Sequence, residues 1–123
     1  MTANLKKQLG NLAEQKACDF LQTQGLILLM RNYHCMTGEI DLIMREGEDI
    51  VFIEVRSRAT SCYGSAVESV NKTKQKKLIK SALLYLKNQH WLNKVGFRFD
   101  IIGVSGSKID WIKNAFSAEN CYT

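Results

Sequence analysis

The sequence predicts a single α/β domain, and three observations carry that reading. Two segments place apolar residues at helical spacings of three and four; five shorter apolar stretches are bounded by polar or glycine-containing turns; and nothing in the 123 residues resembles a repeat, a low-complexity tract or a linker. The order is helix, strands, helix, strands, the alternation of an α/β layer architecture.

The first helix is expected over Leu5–Leu21, where Leu5, Leu9, Leu12, Ala13, Ala17, Phe20 and Leu21 share one face and Gly25 marks the end. Leu26–Met30 is suited to a first strand, and Arg31–Gly38 to a polar connection of loop or edge character. Glu39–Met44 and Ile50–Arg56, joined by a polar turn containing Gly47, read as an antiparallel hairpin. Ser57–Val70 is small and polar and reads as an irregular loop. Asn71 or Ser69 can cap a second helix with an apolar face of Leu78, Ile79, Ala82, Leu83 and Leu86. Phe97–Val104 and Lys108–Lys113 complete the set as strands.

Composition narrows the function. With 46% hydrophobic and 24% charged residues the chain can bury a core and is not a disordered tail. No apolar run approaches the roughly 18 residues of a membrane span, and residues 1–20 lack the apolar region of a signal peptide, so the cytoplasm is the expected compartment. The four cysteines, Cys18, Cys35, Cys62 and Cys121, are far apart and read as reduced thiols. Seventeen Lys+Arg against twelve Asp+Glu give a net charge of +5. The excess is clustered: Asn71–Lys87 holds Lys72, Lys74, Lys76, Lys77, Lys80 and Lys87 and no acid. Such a run is either a solvated face or, beside a polar loop, a surface for nucleic-acid phosphates.

The hairpin can be registered by pairing positions whose numbers sum to 95. Ile40, Leu42 and Met44 then oppose Val55, Ile53 and Val51 on one apolar face, and Asp41 opposes Glu54 on the other, with Glu39 opposite Arg56. Directly opposed carboxylates repel. They become favourable on sharing a hard divalent cation such as Mg²⁺, which takes one or two protein carboxylates while keeping waters and phosphate oxygens, the parts needed for metal-assisted phosphodiester hydrolysis. The alternative is a pair of solvated surface acids.

Asp41, twelve intervening residues and then Glu54-Val55-Arg56 resemble the D-x(n)-E-x-K core of the restriction-endonuclease-like nucleases, the PD-(D/E)xK superfamily. Gly10-x-x-Ala13-Glu14-x-x-Ala17, Arg31-Asn32-Tyr33, Gly38-Glu39-Ile40-Asp41-Leu42-Ile43, Phe52-Ile53-Glu54-Val55-Arg56-x-Arg58, the lysine helix and Arg98-Phe99-Asp100 together resemble the uncharacterised bacterial YraN family, which is similar to archaeal Holliday-junction resolvases. The resemblance implies a restriction-endonuclease-like fold, a central mixed β-sheet flanked by helices. It implies Asp41, Glu54 and the Val55 carbonyl as ligands of Mg²⁺ or Mn²⁺, with Glu14 where the resolvase relatives carry an additional acid near the metal; Glu39 is expected to support the site, and the lysine run, through Lys72, Lys74, Lys76 and Lys77, together with Arg58, to bind phosphates. The implied activity is endonucleolytic cleavage of branched or structured DNA, by an enzyme that acts as a homodimer; a nucleic-acid-binding adaptor that keeps the fold without the activity is the other reading.

The sequence departs from the superfamily pattern at Arg56, where lysine is usual. Arginine holds its proton, so it can orient a water or stabilise charge but cannot serve as general base. Lys74 or Lys77 from the second helix, or a substrate phosphate, can fill that role, and Arg56 can instead pair with Glu39 across the hairpin. His34 and His90 have no second metal-type ligand at useful spacing and carry no assigned role. Trp91 and Trp111 read as packing, and Asp100 as a structural anchor for Arg98 or nearby backbone.

Overall fold

The computed structural model describes the backbone of residues 2–57 and 63–118 and the side chains of residues 8–57 and 66–118. In chain order it contains α1 (Thr2–Thr23), β1 (Ile27–Cys35), β2 (Gly38–Glu46), β3 (Asp49–Ser57), α2 (Tyr63–Glu68), α3 (Lys72–Asn88), β4 (Phe97–Ser105) and β5 (Lys108–Phe116). The strands form one five-stranded mixed sheet in sequential order: β3 and β4 run parallel, and every other neighbouring pair is antiparallel. A parallel pair needs a crossover, and α2 and α3 supply it.

Helices cover both faces. On one, Ala13, Ala17, Cys18 and Leu21 of α1 pack with Leu42, Met44, Val51, Ile53, Ile102 and Val104. On the other, Leu78, Ile79, Ala82, Tyr85 and Leu86 of α3 pack with Ile43, Ile50, Phe52, Phe99 and Ile101. Phe52 sits at the centre of that layer, stacked on Phe99 at 5.6 Å and edge-on to Tyr85 at 6.1 Å, arrangements that the aromatic quadrupole favours.

The helix ends have local causes. Gly25, at φ 96°, follows α1; its N–H bonds to the Gln22 carbonyl and that of Leu26 to the Leu21 carbonyl. This doubly bonded left-handed exit also brings Leu26 into the core beside Leu21. Asn71 caps α3, its Oδ1 accepting from Lys74 N–H at 2.9 Å. His90 closes the same helix at φ 63°, with Trp91 N–H bonded to the Leu86 carbonyl. A backbone role thus accounts for His90.

Four expectations change. Arg31–Cys35 is not a connection but the continuation of β1 along the sheet edge, where alternate residues are half-buried. The segment Ser57–Val70 contains the short helix α2, and β5 runs three residues beyond Lys113. The hairpin turn itself stands as expected, Glu46 pairing with Asp49 and the chain reversing through Gly47, at φ 62°, and Glu48. Finally, the faces of β1 and β2 do not alternate throughout. Leu42 and Met44 join the α1 layer, but Ile40, two residues earlier, joins the α3 layer with Tyr33 packed alongside. The exchange falls at Asn32 and Asp41: the pairs on either side are Arg31↔Leu42 and Tyr33↔Ile40, and Asn32 adopts φ 51°.

Candidate functional site

The sum-of-95 register holds for β2 and β3 from Glu46↔Asp49 to Leu42↔Ile53. Beyond it the ladder stops, which corrects the expected pairs Asp41–Glu54, Ile40–Val55 and Glu39–Arg56. Asp41 does not oppose Glu54 as a ladder partner. Its Oδ2 accepts a hydrogen bond from Val55 N–H at 2.8 Å, taking the place of a strand carbonyl. A side chain thereby satisfies a buried backbone donor where the sheet opens.

The two carboxylates still meet. Glu54 is 5% exposed, and burial, reinforced by its hydrogen bond and repulsion with Asp41, pushes its carboxyl up to about 8; Lys74 and Arg56 pull the other way. Glu54 Oε2 lies 3.2 Å from Arg56 Nη2 and 3.4 Å from Lys74 Nζ. Arg56 thus pairs with the acid two residues before it on its own strand, while Glu39 pairs with His34 Nδ1 at 3.2 Å.

Glu14 enters from α1. Its carboxyl is raised by burial and then by Asp41, against the pull of Arg31 and an Asn32 hydrogen bond. Asp41 is therefore felt from both sides of the sheet, by Glu14 on the α1 side and by Glu54 on the α3 side. Glu14, Asn11, Gly10, Asn32, His34 and Glu39 line an open groove of about 480 Å³. Glu14, Asp41, Glu54, Arg56 and Lys74 form one centre, with Glu39 on the groove rim. Lys72, Lys76 and Lys77 are exposed on α3, and Arg58 lies outside the described residues. Of the lysines proposed to reach the site, Lys74 does so. Asn32 beside Glu14 was not singled out by sequence reasoning; its signal was its place in the Arg31-Asn32-Tyr33 string.

The residues fit a hard divalent cation. Two carboxylates converge, one of them pushed toward its protonated form first by burial and then by Asp41, and Glu14 Oε1 and Arg56 Nε are buried with no hydrogen-bond partner among the described residues. Among the described residues no three His, Cys, Asp or Glu side chains group as metal ligands.

Fold and centre together define an α/β protein with a mixed five-stranded sheet and an acidic cluster at the break between β2 and β3. Residues 13–104 match the uncharacterised protein family UPF0102, and the chain belongs to that family. It is 46% identical to a UPF0102 protein of Legionella pneumophila strain Corby over 116 residues, covering 93% of this chain and 98% of the relative. It is likewise 46% identical to one of Vibrio parahaemolyticus over 91% and 94% of the two chains, and 44% identical to one of Coxiella burnetii strain RSA 493 over 94% and 98%. Among the described residues no helix is long and apolar enough to cross a membrane.

Proposed function

We propose that this chain is a cytoplasmic, metal-dependent DNA endonuclease with a restriction-endonuclease-like fold, acting on branched or structured DNA, with Mg²⁺ or Mn²⁺ as its cofactor. The observation that supports it most is the Asp41–Glu54 pair at the opening of β2 from β3, flanked by Arg56 and Lys74 and bordered by the lysine face of α3. Asp41, Glu54 and the Val55 carbonyl would hold the cation, and the chemistry it would supply there is polarisation of the scissile phosphoryl group and a lowered pKa for an attacking water.

The remaining work falls to the protein. Lys74, which meets Glu54 Oε2, can exchange that contact for a substrate phosphate. Arg56, a fixed cation, stabilises charge building on the phosphoryl oxygens. Glu14 orients water in the groove, and the lysines of α3 hold the backbone with little regard to sequence.

The test is a gel assay of four-way junction, single-stranded and duplex DNA with Mg²⁺, Mn²⁺ or EDTA. Cleavage is expected with the wild type and metal, and a loss of about 10²-fold or more with Asp41→Asn at near-unchanged binding. Cleavage that survives in that variant would sink the assignment of Asp41.

A second reading, a nucleic-acid-binding adaptor without activity, has one observation in its favour: Lys74 and Arg56 already neutralise Glu54 without any metal. Salt-sensitive DNA binding with no cleavage and no measurable Mn²⁺ uptake by calorimetry would favour it.

A further inference from the structure

Met36, at the tip of the β1–β2 hairpin, is 93% exposed, against 53% for Leu9, the next most exposed large apolar side chain among the described residues. Single exposed apolar residues are ordinary; the way this one is mounted is not. Thr37 Oγ1 and Ser81 Oγ of α3 are hydrogen-bonded at 2.8 Å, and Cys35 Sγ lies 3.2 Å from the same Thr37 oxygen. Gly38, at φ 143°, supplies a backbone conformation that side-chain-bearing residues rarely adopt, and the turn it ends lies in ordinary contact distance of Ser81 and Lys77 on the helix. The tip is fastened to α3, and Met36 stands out from it.

Lys74, Lys77 and Ser81 follow the i, i+3, i+7 spacing of one helical stripe. Lys74 meets Glu54 at one end and Ser81 meets the hairpin tip at the other. Seven helical residues span about 10 Å, and the three strand residues from Gly38 to Asp41 span about 10 Å as well. A basic edge therefore leads, over the length of a few nucleotides, from the carboxylate pair to an unbranched apolar side chain.

We infer that Met36 is a stacking wedge that lies on the open face of a base where a DNA helix is interrupted by a branch, gap or end, while Lys77 holds the phosphates of the strand leading to Asp41. Apolar wedges of this kind, methionine among them, insert at base steps, and the flexible, polarisable thioether adapts to any base face. Between its ends an intact duplex offers no open face, and the ends are common to two probes that differ only in a gap. Met36 thus gives the surface a preference for structure that lysines, which read charge alone, cannot supply. The inference rests on the nucleic-acid reading above.

The experiment uses the full chain in EDTA with two fluorescent probes: an intact duplex, and the same duplex with a one-nucleotide gap flanked by 2-aminopurine. The wild type is expected to prefer the gapped probe and to alter its 2-aminopurine emission. Met36→Ser should bind the gapped probe roughly ten-fold more weakly and the intact probe equally well, and Met36→Leu should behave as wild type. Met36→Ser retaining both the preference and the emission change overturns the wedge, as does a wild type that binds both probes equally with no emission change. A wild type that binds neither probe at low salt overturns the nucleic-acid reading itself, and the wedge with it.

Discussion

Glu54 on β3 and Asp100 on β4 are buried acids on neighbouring strands, 5% and 1% exposed, and they are treated in opposite ways. The ladder pairs Ile53 with Asp100 and Glu54 with Ile101, so the two carboxylates point to opposite faces of the sheet. Asp100 accepts from Arg98 Nε and Nη2, from Trp111 Nε1 at 2.9 Å and from Asn114 N–H at 2.9 Å. Arg98 in turn donates to Glu46 at 2.7 Å, and that bond holds the Glu46 carboxyl below its ordinary range. Every lone pair has a donor. Glu54 instead faces another acid, has two partly exposed cations on a single oxygen, and sits beside the orphaned Nε of Arg56. A buried charge that is fully hydrogen-bonded fastens a fold; one left short of partners marks a place where something else binds.

Substitution should separate the two acids sharply. Asp100→Ala removes a buried carboxylate and strips the half-buried Arg98, Trp111 Nε1 and Asn114 N–H of their acceptor, and should cost about 3–5 kcal/mol in urea unfolding. A loss under 1 kcal/mol would remove the distinction drawn here. Glu54→Gln should act in the opposite direction. Because the folded state raises the Glu54 carboxyl from 4.5 to about 8, its contribution to stability is fullest below pH 4.5 and is lost as the pH rises toward 8. Thermal unfolding from pH 5 to pH 9 should therefore show wild type losing stability where Glu54→Gln does not, the variant being more stable by roughly 1–3 kcal/mol at pH 8. Parallel curves would mean that Lys74 and Arg56 suffice for the pair. The smallest effect concerns the cations: Arg98 is locked in its network, whereas Lys77 is free to meet phosphate. Lys77→Ala should reduce the salt slope of duplex binding by about 0.9 without altering stability.

The sequence carried the hairpin register, the caps and the helix faces because each depends on spacing that a packed layer enforces locally. Glu54 and Asp41 stood out because that register set two like charges opposite each other; the acids do meet, though Asp41 bonds Val55 N–H instead of forming a ladder pair with Glu54. Three features were out of reach. The edge strand Arg31–Cys35 is covered on one side only and too polar to announce itself. Asp100 was legible as an anchor for Arg98 and nearby backbone, and it bonds both; the reach of that network to Glu46 of β2 and Trp111 of β5 was not, because no local pattern links them. The exchange of faces at Asn32 and Asp41 violates the period of two on which the reading depended. That last failure is instructive, since local rules break most often at functional sites.

The Val55 amide, whose proton is donated to Asp41 instead of to a neighbouring strand, carries a further consequence. Its nuclear magnetic resonance signal depends directly on the charge of one carboxylate oxygen. Protonation of the pair, arrival of a cation or approach of a phosphate each changes that charge. The break in the sheet thus provides a spectroscopic reporter inside the chain, readable at a single backbone position without substrate turnover.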